Sequence, residues 1–286
     1  TALLQFHRER GAEATLGLYR HKNPLEYGLV LTGQDGRVER FVEKPGWGQV
    51  FTDQINTGIY VLSAAAMDRA PQGEVFDFGK DLFPALLREG EPLYGLPLEG
   101  YWRDMGDCKA YLDCVCDALS GKVRLEMGLP RRQAGVWSAR PLPEGMNLVP
   151  PCWIGEGVEL GTGCLIGPHT VLDRGASVGE RAMVQRSVLL ENAAAGSRTT
   201  LYGAILCRDA SARKGVVLNE GAVLGENALA EEESILLERV KLWPGQTAPA
   251  GCRLARSVTS GNQKGALRFG DSGVIQGVRG EDLGPE

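Results

Sequence analysis

From Leu148 onward, aliphatic residues recur at every sixth position: Ile154, Leu160, Ile166, Leu172, Val178 and Val184 form one unbroken series. Gly155, Gly161, Gly167 and Gly179 follow four of them. After a slip in phase, Leu206, Ala212, Leu218, Leu224, Ala230, Leu236 and Leu242 resume the same spacing. A helix repeats every 3.6 residues and a free strand every two, so neither produces this period. A parallel β-helix does, because each repeat is one short strand plus a corner, with one aliphatic side chain directed into the coil. Burial of each such side chain is worth roughly 1.5–3 kcal/mol, which stabilises a stack of coils without a wide globular core.

The segment before the coil has a different texture. Ala2 to Arg10 reads as a helix ended by Gly11, and Ala14 to Tyr19 as a strand. Tyr27 to Leu31 and Val38 to Val42 read as the arms of a hairpin joined through Gly33-Gln34-Asp35-Gly36, residues suited to a tight turn. Ile59 to Leu62 is apolar throughout, as expected of a strand covered on both faces. Ser63 caps a short helix that stops before Pro71, Asp81 to Arg88 forms a second one closed by Gly90, and Leu93 to Leu98 is a strand. Tyr101-Trp102 is expected to open a further strand. Asp107 caps a helix from Cys108 to Ser120 whose buried stripe is Tyr111, Leu112, Val115, Ala118 and Leu119. Alternation of this kind points to an α/β layer domain.

Three stretches carry candidate chemistry. Pro45 cannot donate to a ladder and biases Lys44 toward extended backbone, so the hairpin should end at Phe41-Val42-Glu43-Lys44-Pro45. That leaves a carboxylate able to accept bonds from sugar hydroxyls beside an ammonium suited to a phosphate; a solvated strand end has the same sequence. Asn56-Thr57-Gly58 is expected at a strand entrance, where glycine admits a close ligand or merely starts the strand. Asp104, between Trp102 and Gly106, presents a loop carboxylate fit for Mg²⁺, or else it shares capping duty with Asp107.

Composition narrows the class. With 286 residues and 43% hydrophobic content, the chain is long enough for one large domain or two. A net charge of −5 without a Lys/Arg cluster argues against nucleic-acid polymers and membrane surfaces as partners. The seven cysteines lack paired CxxC spacing, which argues against zinc and for reduced thiols in a cytoplasm. No signal peptide or bilayer-length apolar run is present, and the isolated His7, His21 and His169 read as structural.

Taken in order, Tyr27-Gly28, Phe41 to Pro45, Asn56 to Gly58 and Trp102-x-Asp104-x-Gly106 resemble the sugar-phosphate nucleotidyltransferases, the NDP-sugar pyrophosphorylases that include mannose-1-phosphate guanylyltransferases. The resemblance implies that residues 1–125 are the C-terminal half of a Rossmann-like nucleotidyltransferase domain. Residues 126–147 would be a linker, and 148–255 a left-handed parallel β-helix of hexapeptide repeats. It also implies roles: Lys44 (catalytic) holds the phosphate of a hexose 1-phosphate, Glu43 bonds a sugar hydroxyl, and Gly28, Asn56, Thr57 and Gly58 line the sugar pocket. Asp104 would ligate Mg²⁺, and a nucleoside triphosphate, with GTP and mannose 1-phosphate the expected pair, would supply the nucleotide.

The family's glycine-rich phosphate loop and first metal Asp have no counterpart here, and Gly106-Asp107-Cys108 stands where Gly-Thr-Pro is usual. The chain is therefore expected to be an inactive fragment of a cytoplasmic enzyme that forms homo-oligomers through its β-helix. Phe269-Gly270-Asp271-Ser272-Gly273, within residues 256–286, resembles the opening loop of a phosphohexomutase. Two other classes stay open: a non-catalytic assembly subunit of the same fold, and a β-helix acyltransferase using His169.

Overall fold

The computed structural model describes residues 2–71, 73–142 and 146–259, together with the backbone of 268–269 and 275–276. Thr1–Asp104 and Met105–Glu286 are two compact units.

The first unit is an α/β layer. Helix α1 (Ala2–Arg10) leads into β1 (Ala14–Arg20), and the hairpin of β2 (Leu29–Thr32) and β3 (Val38–Val42) follows. Then come β4 (Gln54–Leu62), α2 (Ala64–Met67), α3 (Phe83–Glu89) and β5 (Leu93–Pro97). The strand order is β3-β2-β4-β1-β5; β4 runs antiparallel to β1 and β5 parallel to it. Leu16, Leu18, Val30, Phe41, Leu82, Phe83, Leu86 and Leu93 form the core beneath the sheet. His7 is buried there, with Nδ1 2.9 Å from Thr15 Oγ1. The caps agree with the sequence: Ser63 Oγ accepts from Ala66 N, and left-handed Gly90 closes α3.

Three expectations fail within this unit. Strand β4 is not covered on both faces, since Ile59 is 47% exposed and Tyr60 to Leu62 are only half-buried. It also begins at Gln54, which places Asn56 to Gly58 inside the strand. There the ladder is irregular. Leu16 pairs with Tyr60 and Leu18 with Asn56, so Gly17 alone faces Thr57, Gly58 and Ile59. The excess residues form a bulge with Gly58 at φ +80°, a conformation glycine adopts without a Cβ penalty. Residues 101–102 are not a strand either; aromatic packing holds Trp102 in place of a ladder.

In the second unit, α4 (Cys108–Leu119) is capped by Asp107 Oδ1, which accepts from Ala110 N. Short strands at Arg131–Gln133 and Val136–Ser138 occupy the stretch read as a linker, and the second pairs in parallel with Cys152–Ile154. Strands of two or three residues then stack in parallel as three sheets, forming a β-solenoid. Ile154, Leu172, Leu189, Leu206, Leu224 and Leu242 lie in register as one inward column. A second column runs Ile166, Val184, Leu201, Leu218, Leu236 and Leu254. The third is narrower: Val178 is followed by Ala195, Ala212, Ala230 and Ala248.

The phase slip has a simple cause. Val184 to Leu189 and Leu201 to Leu206 are steps of five rather than six, and Leu189, Ala195 and Leu201 fill the apparent gap as buried residues. One corner is a residue shorter in two successive turns, so the inward column never breaks. Outside the coil, Leu112 of α4 packs on Val188, Ile205 and Val223, with Tyr111 and Val115 beside them. All seven cysteines are free thiols, and burial pushes the Cys152 thiol up to about 12. The Phe269 to Gly273 pattern lies outside the described residues, the backbone of Phe269 excepted.

Candidate active site

Register brings the first candidates together. Leu29 lies opposite Val42 on one side and Ile55 on the other, so one residue earlier Gly28 falls between Glu43 and Asn56. Asn56 N donates to Gly28 O at 2.7 Å, and a Cβ placed on Gly28 would stand 2.5 Å from Glu43 Oε2 and 3.4 Å from Asn56 Cβ. Glycine is needed here for close approach. The Asn56 amide is oriented at both ends: Nδ2 donates to the Tyr60 hydroxyl at 2.7 Å, and Oδ1 accepts from Gly58 N at 3.1 Å.

Lys44 departs from the extended backbone expected before Pro45; its φ is +45°. A left-handed non-glycine residue costs on the order of 1–3 kcal/mol. The following Pro45 is buried, and the Lys44 side chain is exposed at the strand end. Thr57 is not part of the Gly28–Glu43–Asn56 group. Its Oγ1 donates to Gly17 O at 2.7 Å and accepts from Ile59 N, which ties down the bulge.

Residues from a turn not singled out in the sequence complete the group. Asp77 Oδ1 accepts from Gly79 N at 2.8 Å and Lys80 N at 3.0 Å, capping a π-helical turn over Phe78–Leu82 that enters α3. A Cβ on Gly79 would stand 2.8 Å from Glu43 Oε2 and 3.3 Å from Asp77 Oδ1. Burial first, and then the Asp77 carboxylate, push the Glu43 carboxyl above the usual carboxylate range, while Lys44 and Lys80 pull it back. Tyr60 is raised chiefly by burial; Glu43 and Asp77 add to the rise, and the Asn56 bond opposes it. In the sequence Gly79 lies ahead of the helix read over Asp81 to Arg88, and nothing local marked this turn.

Asp104 is exposed on the loop after Trp102. The Trp102 ring packs 5.5 Å from Tyr19 and 5.7 Å from Tyr27, with His21 5.0 Å from Tyr27. Burial raises the Tyr27 phenol, and the nearby Asp104 carboxylate raises it further. Asp104 therefore stands near the residue preceding Gly28. Among the described residues no group of three or more His, Cys, Asp or Glu converges as a metal site. A single loop carboxylate is nonetheless the protein share that Mg²⁺ commonly takes when phosphates and water supply the rest. His169, the candidate acyltransferase base, has Nε2 2.9 Å from Ser120 Oγ, and burial followed by Arg186 lowers its pKa.

Each of the two units has a counterpart among known families. Residues 1–121 match the nucleotidyl transferase family, and residues 148–248 match the GMPPB C-terminal domain. Among individual proteins, the chain is similar to a mannose-1-phosphate guanylyltransferase of Mycobacterium tuberculosis, 40% identical over 42% of the chain and 33% of the relative. It is also similar to mannose-1-phosphate guanyltransferase beta-B of Xenopus laevis, 38% identical over 40% of the chain and 31% of the relative. A UTP–glucose-1-phosphate uridylyltransferase of Synechocystis is 34% identical over 43% of the chain and 32% of the relative. The chain spans about a third of the length of these curated relatives. Neither matched segment reaches Phe269. No helix among the described residues is long and apolar enough to cross a membrane.

Proposed function

We propose that the protein carrying this chain transfers a nucleotidyl group from a nucleoside triphosphate to a hexose 1-phosphate, with GTP and mannose 1-phosphate as the pair. The observation that carries this reading is the convergence of Gly28, Glu43 and Asn56 at one end of β2, β3 and β4. The carboxylate seated against the Gly28 Cα has oxygens that accept from the hydroxyls of a sugar ring. Lys44, exposed at the same strand end, meets the sugar's phosphate as a point charge. The Asn56 amide, fixed at both ends, and the open face of Gly58 line the remaining wall.

In the reaction a phosphate oxygen of the sugar 1-phosphate attacks the α-phosphorus of the triphosphate. The bond from that phosphorus to the bridging oxygen breaks, and pyrophosphate leaves. Little covalent chemistry falls to side chains, so catalysis rests on alignment and on neutralising developing charge. Asp104 would hold a divalent ion such as Mg²⁺, which would supply part of that neutralisation. Glu43, Lys44 and Asn56 hold and orient the nucleophile.

The preference for mannose and guanine draws on the guanylyltransferase relatives, and the uridylyltransferase relative names the competing pair. Formation of GDP-mannose and pyrophosphate from GTP and mannose 1-phosphate, compared with UTP and glucose 1-phosphate, is the test. Turnover indifferent to Glu43→Gln would refute the assignment.

A further inference from the structure

Glu43 Oε2 lies against two glycines that come from different parts of the first unit. Gly28 precedes β2, and Gly79 sits in the turn entering α3. A Cβ on either would come within 3 Å of that oxygen, at 2.5 Å from Gly28 and 2.8 Å from Gly79. Both glycines are buried, and neither has a positive φ, so neither is required by its own backbone. At Gly79 the three nearest atoms are all carboxylate atoms, Glu43 Oε2 and Cδ and Asp77 Oδ1. An added methyl there would meet movable side-chain ends and no backbone. What it would displace is Glu43.

We propose that Gly79 is a positioning residue for the hexose 1-phosphate pocket, forming with Gly28 a slot that fixes the Glu43 carboxylate against the sugar. The inference rests on the reading of Glu43 as a sugar ligand and extends it to a turn with no other claim on the site. Asp77 has a separate part. Its carboxylate is committed to the amides of Gly79 and Lys80, which sets the turn and places a second negative charge beside the slot. The charged and titratable groups facing Glu43 are Lys44 at the end of its own strand, Tyr60 from β4, and Asp77 and Lys80 from the turn. Burial and Asp77 both disfavour the ionised carboxylate, and the two lysines favour it.

The experiment uses the full 286-residue chain. It follows the Glu43 carboxyl carbon by NMR across pH and measures mannose 1-phosphate affinity by calorimetry. In Gly79→Ala the methyl should push Glu43 toward solvent, move its titration down toward the ordinary value, and weaken binding at least tenfold. In a Glu43→Ala background Gly79→Ala should have no further effect on affinity, because the group it displaces is gone. Asp77→Asn keeps a cap acceptor and should lower the Glu43 titration with little loss of affinity, which keeps the proposal testable if Gly79→Ala folds poorly. The slot is overturned if Gly79→Ala leaves the titration unchanged, or if it weakens binding equally with and without Glu43. A displaced titration in a chain that never binds mannose 1-phosphate would keep the slot and refute the sugar-phosphate reading beneath it.

Discussion

The coil and the α/β unit place their demands on sequence in opposite ways. In the coil, every requirement repeats: an inward aliphatic or alanine at each strand, a corner, and the same again one turn later. In the α/β unit, the important positions occur once and depend on partners far away in sequence. Glu43 is shaped by Gly28, Asn56, Asp77 and Gly79, which come from three separate segments. A periodic structure spreads its stability over many equivalent contacts, whereas a site concentrates its function in a few contacts that have no equivalents. Substitutions should therefore cost the coil stability and the α/β unit affinity.

The largest expected effect is in the coil. Ile166→Asp places a charge in an interior that is fully buried at that position and should destabilise the second unit by at least about 3 kcal/mol. Thermal unfolding followed by circular dichroism checks this, and an unchanged midpoint would dismantle the inward column. In the α/β unit, the effects should appear in kinetics of the active protein. Lys44→Ala should raise KM for the sugar phosphate ten- to a hundredfold, the equivalent of about 1.5–3 kcal/mol for a charge-assisted bond. Asp104→Asn should instead lower kcat and be partly relieved by added Mg²⁺. Equal behaviour of the two variants in a magnesium titration would erase the distinction between phosphate and metal roles.

A smaller effect sharpens the difference between the coil's own faces. Ala212→Leu overfills the alanine column and should cost about 1–3 kcal/mol, while Ser211→Leu, one residue away on the outer surface, should cost far less. Comparable losses at the two sites would contradict the register. The smallest expected effect has the opposite sign. The folded state holds the Glu43 proton more tightly than the unfolded chain, whose value is near 4.5, so this group's contribution to stability falls as pH rises above that value. Glu43→Gln should raise the melting temperature of the first unit at pH 7 and lose that advantage at pH 4. A gain of equal size at both values would show that the carboxylate is not desolvated.

How much of this was legible in the sequence follows the same division. The solenoid was readable because its period is unlike that of any other element, and even the phase slip marked two real five-residue corners. The helix caps at Ser63, Gly90 and Asp107 were readable because capping is local. The candidate site was readable only in part. Gly28, Glu43 and Asn56 do meet, but Thr57 is used by the bulge, and nothing local revealed that bulge, because it arises from the pairing of β1 with β4. The left-handed Lys44 runs against the ordinary preference before proline, and no local signal in the sequence marked it. Asp77 and its turn went unread; the cap it makes is local, but that the turn also closes on Glu43 is a tertiary fact. Trp102 read as a strand residue because aromatic residues favour strands, yet its ring is satisfied by Tyr19 and Tyr27.

The central claim is that one end of β2, β3 and β4 receives a sugar 1-phosphate. The most direct measurement is a titration of the isotope-labelled chain with mannose 1-phosphate, following backbone amide shifts. The account predicts perturbations concentrated at Gly28, Glu43, Lys44, Asn56, Gly58 and Gly79, with the inward columns of the coil silent. Saturable shifts confined to other residues, or none at millimolar ligand, would contradict it.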